Sequence, residues 1–311
     1  MNETGLPSSD ANSAAGTRPS GVIAAVATAI DASDEPDTAR SIALGRFLLA
    51  HGCDGLNVLG TTGEATSFSL EQRRRVMTAY GTAGLPMHRL LVGTGAAAIA
   101  DAVALTRHAA DLGFGGALLL PPFYYRDVPD DGLLRVLDAV VTATASPQVP
   151  IYLYHFPALS GVPWRLDLVA RIIATFRDRV VGLKDSSGDL GYARAAAALG
   201  TGFDVFPSSE AVLGDARRDG FAGCISATVN LNADLCARAY RNADAAALAA
   251  ATAIRGWFEN KPVVPGVKAV LAHIHGDPAW ARVMPPLGPF SPTAAAETVA
   301  HYEAVRARLA A

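Results

Sequence analysis

Val180-Val181-Gly182-Leu183-Lys184-Asp185-Ser186-Ser187-Gly188-Asp189 reads as a short apolar run stopped by a lysine and a polar turn. A run without apolar–polar alternation, bounded by turn residues, fits a strand covered on both faces, as in a parallel sheet. The same pattern recurs at Val22–Ile30, Gly55–Leu59, Leu90–Gly93, Ala117–Leu120, Ile151–Tyr154, Phe203–Phe206 and Gly223–Ala227. Amphipathic stretches lie between them: Thr38–His51, Leu70–Gly81, Ile99–Leu112, Asp130–Ala145, Leu166–Thr175 and Ala211–Asp219. Strand starts recur about every 30 residues, the length of a βα unit. Eight such units predict an α/β fold, a (β/α)8 TIM barrel, over residues 21–242. Gly93-Thr94-Gly95 is only a glycine pair, and no G-x-G-x-x-G opens a helix after the first strand, which disfavours a dinucleotide-binding fold. Residues 243–311 read as a C-terminal helical extension, Asp244–Asn260, Val264–His275 and Thr293–Ala310, expected to pack on the barrel and on a neighbouring subunit. Residues 1–20 lack both a basic and an apolar segment, so they are expected to be a mobile tail and not a signal peptide.

Composition narrows the function. Of 311 residues 50% are hydrophobic and 18% charged, enough apolar material for one large core. The net charge is −3 with the two signs interspersed, so a nucleic-acid partner is not expected. The apolar stretches are short or broken by Gly, Pro or charge, and no membrane span is expected. Cys53, Cys224 and Cys236 are too scattered for a disulfide framework or a zinc site. Cys53 and Cys224 read as buried small hydrophobes, and the compartment as reducing, hence cytoplasmic.

In a barrel of this kind the chemistry sits where strands end and βα loops begin. Four such places carry polar residues: Gly60-Thr61-Thr62-Gly63-Glu64, Pro121-Pro122-Phe123-Tyr124-Tyr125, Tyr154-His155-Phe156-Pro157, and the segment after Leu183. Lys184, Lys261 and Lys268 are the only lysines, and only Lys184 closes a predicted barrel strand. An amine at the mouth of a buried strand loses hydration, which favours the neutral form that attacks a ketone and gives an imine. The bland alternative is a surface lysine paired with Asp185. The Gly60–Gly63 turn offers hydroxyls and N–H groups that could hold a carboxylate, or it is simply a capped turn. Tyr154 could relay protons, or only pack. Glu64 reads as an acid at a helix start and Asp185 as a strand-end orienter. Glu64, His155, Asp185 and Glu210 make no convincing ligand triplet, so no metal is expected.

Taken together, the four segments resemble the dihydrodipicolinate synthase / N-acetylneuraminate lyase family, from about Gly21 to the C-terminus. The resemblance implies a class I aldolase in which Lys184 forms the imine, Tyr154 relays protons, and Thr61 and Thr62, with the Gly63 backbone, hold the keto-acid carboxylate. It further implies that Tyr124 reaches into a neighbouring subunit's site, that the backbone of Ile225 lines the pocket, that the assembly is a homotetramer of tight dimers, and that no cofactor is needed beyond the lysine adduct. Departures fall on the aldehyde half. Leu159 stands where the synthases carry an arginine for a second carboxylate, and leucine cannot make that bidentate contact. Ser208-Ser209-Glu210-Ala211 keeps one of the two acids of the sialic-acid lyases, Ala227 replaces a serine, and His155 replaces the usual asparagine. These positions imply a shorter substrate, a 2-keto-3-deoxy sugar acid cleaved to pyruvate and an aldehyde. The alternatives are dihydrodipicolinate synthase itself and a keto-deoxy-sugar-acid dehydratase.

Overall fold

The computed structural model describes residues 18–310. Eight parallel strands form one sheet: β1 (Gly21–Ala25), β2 (Gly55–Val58), β3 (Leu90–Gly93), β4 (Gly116–Leu119), β5 (Ile151–His155), β6 (Val180–Asp185), β7 (Asp204–Pro207) and β8 (Gly223–Ser226). Their order, β7-β6-β5-β4-β3-β2-β1-β8, follows the chain around a ring, with β1 paired to both β2 and β8. The ring comes together between β7 and β8, where the Ala222 N–H donates to the Val205 carbonyl at 2.9 Å. The helices are α1 (Thr38–Ala50), α2 (Leu70–Thr82), α3 (Ile99–Asp111), α4 (Asp130–Ala143), the one-turn α5 (Pro157–Ser160), α6 (Leu166–Phe176), α7 (Leu190–Ala197), α8 (Val229–Asn242), α9 (Ala245–Gly256), α10 (Val263–Ile274) and α11 (Pro292–Ala310). This is the α/β barrel with C-terminal helices that the strand spacing predicts.

The apolar residues separate into two cores. Residues such as Leu56, Val58, Val92, Leu153 and Leu183 point outward and pack under the helices. Ile23, Leu91, Leu118, Tyr152, Phe206 and Ile225 point inward and fill the barrel. Inner and outer positions alternate along each strand, as the pleat requires. Tyr152 needs particular room. A Cβ added at Gly116 or at Gly182, on the two strands flanking it, would lie 2.6 Å from its ring. Those two glycines let the Tyr152 ring lie across the barrel, where it floors the space beneath the strand ends.

Three expectations shift. The first strand stops at Ala25 and not at Ile30. Val26 N–H still donates to the Asn57 carbonyl of β2 at 3.0 Å, but Ala27 N–H turns to Asn230 Oδ1 at 3.2 Å, and there the chain leaves the sheet. The stretch Ala211–Asp219 is not a helix. It is one 3-10 turn, Glu210–Val212, followed by irregular turns; Gly214 lies within it and Gly220 follows with φ +75°. A helix that sequence reading left unnamed, α7, lies between β6 and β7. Asp189 caps it by accepting from the N–H groups of Gly191 and Tyr192, at 2.8 and 3.1 Å.

The extension packs on the barrel through α9 and α10 against α8, and α11 packs in turn on α9 and α10. Tyr302 on α11 donates to the Leu231 carbonyl at 3.3 Å. The tail expected over residues 1–20 falls outside the described residues up to position 17. Arg18, within that stretch, pairs with Asp204 at 3.2 Å and donates to the Val181 carbonyl at 3.2 Å. Among the described residues no helix is long and apolar enough to cross a membrane. All three cysteines are buried and free, and burial pushes the Cys53 thiol up to about 12.

Candidate active site

Strand alternation decides which residues meet. On β5, Tyr152 and Tyr154 point inward; on β6, Gly182 and Lys184 do the same, with Tyr154 and Lys184 in register. Lys184 is therefore nearly sealed, 3% exposed, at the C-terminal mouth of the barrel. Its Nζ lies 4.4 Å from the centre of the Tyr154 ring, and the Tyr154 hydroxyl lies 3.0 Å from Thr61 Oγ1. Lysine, tyrosine and threonine thus form one connected line across the mouth.

The Gly60–Glu64 turn is built under constraint. Leu59 and Glu64, which flank it, both adopt left-handed backbone, at φ +53° and +56°. Such residues cost about 1–3 kcal/mol each and persist only where the surroundings enforce them. A Cβ on Gly63 would lie 3.0 Å from the Val26 carbonyl oxygen and 3.1 Å from Leu59 N, so a side chain there would crowd backbone on two sides. The Thr28 hydroxyl donates to the Gly63 carbonyl at 2.9 Å and turns that peptide. Among the described residues the N–H groups of Thr62 and Gly63 find no acceptor, and Thr62 is only 6% exposed. Backbone N–H groups left without a partner in such a turn can receive an anion.

Glu64 holds the turn from behind. It is fully buried, and its carboxylate accepts from Lys268 Nζ on α10 and from Met284 N–H at 2.6 Å. Lys268 also donates to the Arg282 carbonyl at 2.8 Å. Burial pulls the Lys268 ammonium below the ordinary lysine range, and the Glu64 charge offsets this only in part. Glu64 does stand at a helix start, just before the 3-10 turn Ala65–Ser67, but its side chain caps nothing there and instead ties the turn to the extension. The available signal was Lys268 itself, a lone charge in the apolar run Val263–Ile274.

One cavity of about 530 Å³ collects the site. Lys184, Tyr154, Thr61, Thr62, Ile225 and Ser208 line it. Leu159 lines it too, largely exposed at the rim. Phe156, Ser186 and Arg255 also contribute, with an apolar wall from Val263, Val264 and Leu287 of the extension.

Gly63, buried in its turn, does not itself line the cavity, and three further sequence candidates stand elsewhere. His155 follows inward Tyr154 and so points outward, away from the cavity. Its ring stacks on Tyr192 of α7 at 4.1 Å, and its Nδ1 accepts from the Trp164 N–H at 3.1 Å. Burial lowers it to about 4, so at neutral pH it is an uncharged packing group. Glu210 is completely buried and does not line the cavity. It accepts from Ser226 Oγ at 3.0 Å and from Thr228 Oγ1, and lies 3.6 Å from Arg255 Nη1. Tyr124 is 78% exposed, edge-on to Tyr125 at 5.2 Å, and is not part of the cavity wall. Asp185 faces outward, 2% exposed; it accepts from the Ser187 N–H at 2.9 Å, and burial raises its carboxyl. Among the described residues no three His, Cys, Asp or Glu side chains cluster as metal ligands.

The arrangement can hold a carboxylate at Thr61–Gly63, bring a carbonyl carbon to Lys184, and move protons through Tyr154 and Thr61. Known proteins align with it over nearly the whole chain. The profile of the Dihydrodipicolinate synthetase family matches residues 18–304. An uncharacterized DapA-like lyase of Chloroflexus aurantiacus is 33% identical over 272 residues, 84% of this chain and 88% of that one. The dihydrodipicolinate synthase of Agrobacterium tumefaciens superposes with a TM-score of 0.86 at 27% identity, over 92% of this chain and 99% of that one. YagE, a prophage protein of the dihydrodipicolinic acid synthase family from E. coli K12 in complex with pyruvate, superposes with a TM-score of 0.83 at 25% identity, over 92% and 98%.

Proposed function

This chain belongs to the dihydrodipicolinate synthetase family and is a lyase of the class I aldolase kind, and we propose that it cleaves a 2-keto-3-deoxy sugar acid to pyruvate and an aldehyde through an imine on Lys184. The observation that carries this reading is the line Lys184–Tyr154–Thr61 beside the unfilled N–H donors of Thr62 and Gly63. It joins a nucleophile, a proton relay and a carboxylate receptor in one cavity.

The substrate carboxylate sits on the Thr61 and Thr62 hydroxyls and the Gly63 backbone. The Lys184 amine adds to C2, and the carbinolamine loses water to give an iminium, with Tyr154 passing protons and Thr61 sharing its hydroxyl. Deprotonation of the C4 hydroxyl breaks the C3–C4 bond. Its electron pair goes to the iminium as an enamine, and the aldehyde leaves. Protonation at C3 and hydrolysis release pyruvate and restore the amine. No organic or metal cofactor enters this sequence. Leu159 at the rim argues against a synthase contact to aspartate semialdehyde, since it offers no donor.

The exposed Tyr124–Tyr125 pair supports assembly. Two large aromatics side by side at a surface mark a contact. In this reading Tyr124 enters the site of a second copy, in a homotetramer of tight dimers, and the enzyme works in the cytoplasm. The test is a panel: keto-deoxy sugar acids supplied singly with coupled detection of pyruvate, beside pyruvate plus aspartate semialdehyde. Pyruvate release from at least one such acid is expected. Release from none, with efficient condensation of the semialdehyde, would overturn the substrate assignment in favour of the synthase.

A further inference from the structure

Among the described residues Lys184 and Arg255 are the only cationic side chains that line the cavity, and the mechanism uses only Lys184. Arg255 comes from the last turn of α9, outside the barrel proper. Its Nη1 donates to Ser226 Oγ at 3.2 Å and stands 3.6 Å from the Glu210 carboxylate. Glu210 is itself fixed, completely buried and accepting from Ser226 and Thr228. The guanidinium is thus held from behind through one nitrogen. Among the described residues its Nε and Nη2 have no acceptor, and the side chain is 33% exposed. A planar fork of free donors, kept rigid by a buried carboxylate, is built to take a carboxylate edge-on.

The rest of the aldehyde half is poor in polar partners. Leu159, Phe156, Val263 and Leu287 are apolar, and Ser186, Ser208, Thr66 and Ser67 supply only hydroxyls. The one acid on the wall, Glu64, is already engaged by Lys268 and Met284. Glu210, 3.6 Å from the guanidinium, offsets part of its charge, which suits a singly charged terminus better than a doubly charged phosphate.

We propose that Arg255 binds a second, terminal carboxylate of the substrate, so that the preferred 2-keto-3-deoxy acids are diacids. One carboxylate sits in the Thr61–Gly63 turn and the other on Arg255. The second anchor, which Leu159 cannot provide at the rim, is supplied by the extension. This rests on the cleavage reading above and specifies its substrate class.

The test compares keto-deoxy acids that differ only at the far terminus: carboxylate, primary alcohol, carboxamide and phosphate ester. With wild-type enzyme the carboxylate is expected to give a kcat/KM at least about 30-fold above the alcohol and the carboxamide, as for a charge-assisted bidentate contact. In Arg255→Gln that ratio collapses to within about threefold, and Arg255→Lys recovers part of it. Equal wild-type rates for all termini would overturn the proposal, as would a preference that survives in Arg255→Gln. A phosphate ester preferred over the carboxylate would also overturn it. The wild-type comparison stands even where a variant fails to fold. Loss of the cleavage reading is a separate result: no pyruvate from any terminus.

Discussion

Replacing Lys268 by methionine tests whether the extension holds the carboxylate-binding turn. Lys268 and Glu64 are both completely buried, and the ammonium reaches the Glu64 carboxylate and the Arg282 carbonyl. Methionine fills a similar volume but leaves the carboxylate with Met284 N–H as its one remaining partner. Removing one member of a buried ion pair costs about 3–5 kcal/mol, because the other charge stays buried and unpaired. Glu64 also sits in left-handed backbone at φ +56°, which its side-chain contacts help to enforce. Loosening them frees the turn that carries Thr61 and Thr62. Lys268→Met should therefore lose about 3–5 kcal/mol in urea unfolding at constant m, and raise the KM for the keto acid more than it lowers kcat. Glu64→Gln combined with Lys268→Met removes both charges, keeps an acceptor for Met284, and should regain about half of the lost stability or more. A single variant within about 1 kcal/mol of wild type would refute the reasoning, as would a double variant no more stable than the single.

Two further outcomes follow from named side chains. Tyr154→Phe keeps the ring beneath Lys184 but removes the hydroxyl 3.0 Å from Thr61, so kcat should fall about 10²–10⁴-fold, with KM changing much less; a drop under about tenfold would take the proton relay away from Tyr154. His155 is held neutral down to about 4, whereas the free side chain titrates near 6.5. Between those values the unfolded chain binds the extra proton, so this group costs stability as pH falls through that window, up to about 3 kcal/mol, and nothing above it. The difference in urea stability between wild type and His155→Phe should shrink accordingly from pH 7.5 to pH 4.5, and a difference independent of pH would contradict the packing role.

The barrel was legible because eight buried strands leave eight short apolar runs at regular spacing, and their ends mark the mouth. Lys184 was singled out that way, as the one lysine closing such a run; for Tyr154 and the Thr61 turn the pattern left packing and capping open, and their roles came from the family resemblance. His155 was misplaced for a reason the same pattern contains: strand side chains alternate, so once Tyr154 faces in, its neighbour faces out. The helix expected over Ala211–Asp219 failed where Gly214 interrupts an amphipathic stretch and the Glu210 carboxylate is engaged by β8. Arg255 left no readable trace. It stands in an alanine-rich helix that local pattern marks only as helix, and its place on the cavity wall depends on how α9 docks beside β8, a contact between distant parts of the chain. Glu210 was expected in the substrate pocket, but it lies buried outside the cavity wall, 3.6 Å from the Arg255 guanidinium, a placement visible only in three dimensions.

The most direct test of the account is reductive trapping. Purified protein is incubated with pyruvate and borohydride, digested, and mapped by tandem mass spectrometry. One reduced pyruvate adduct is expected, on Lys184, and none in Lys184→Ala. An adduct on Lys261 or Lys268 instead, or no adduct with any 2-keto acid, would contradict the assignment of Lys184 as the nucleophile.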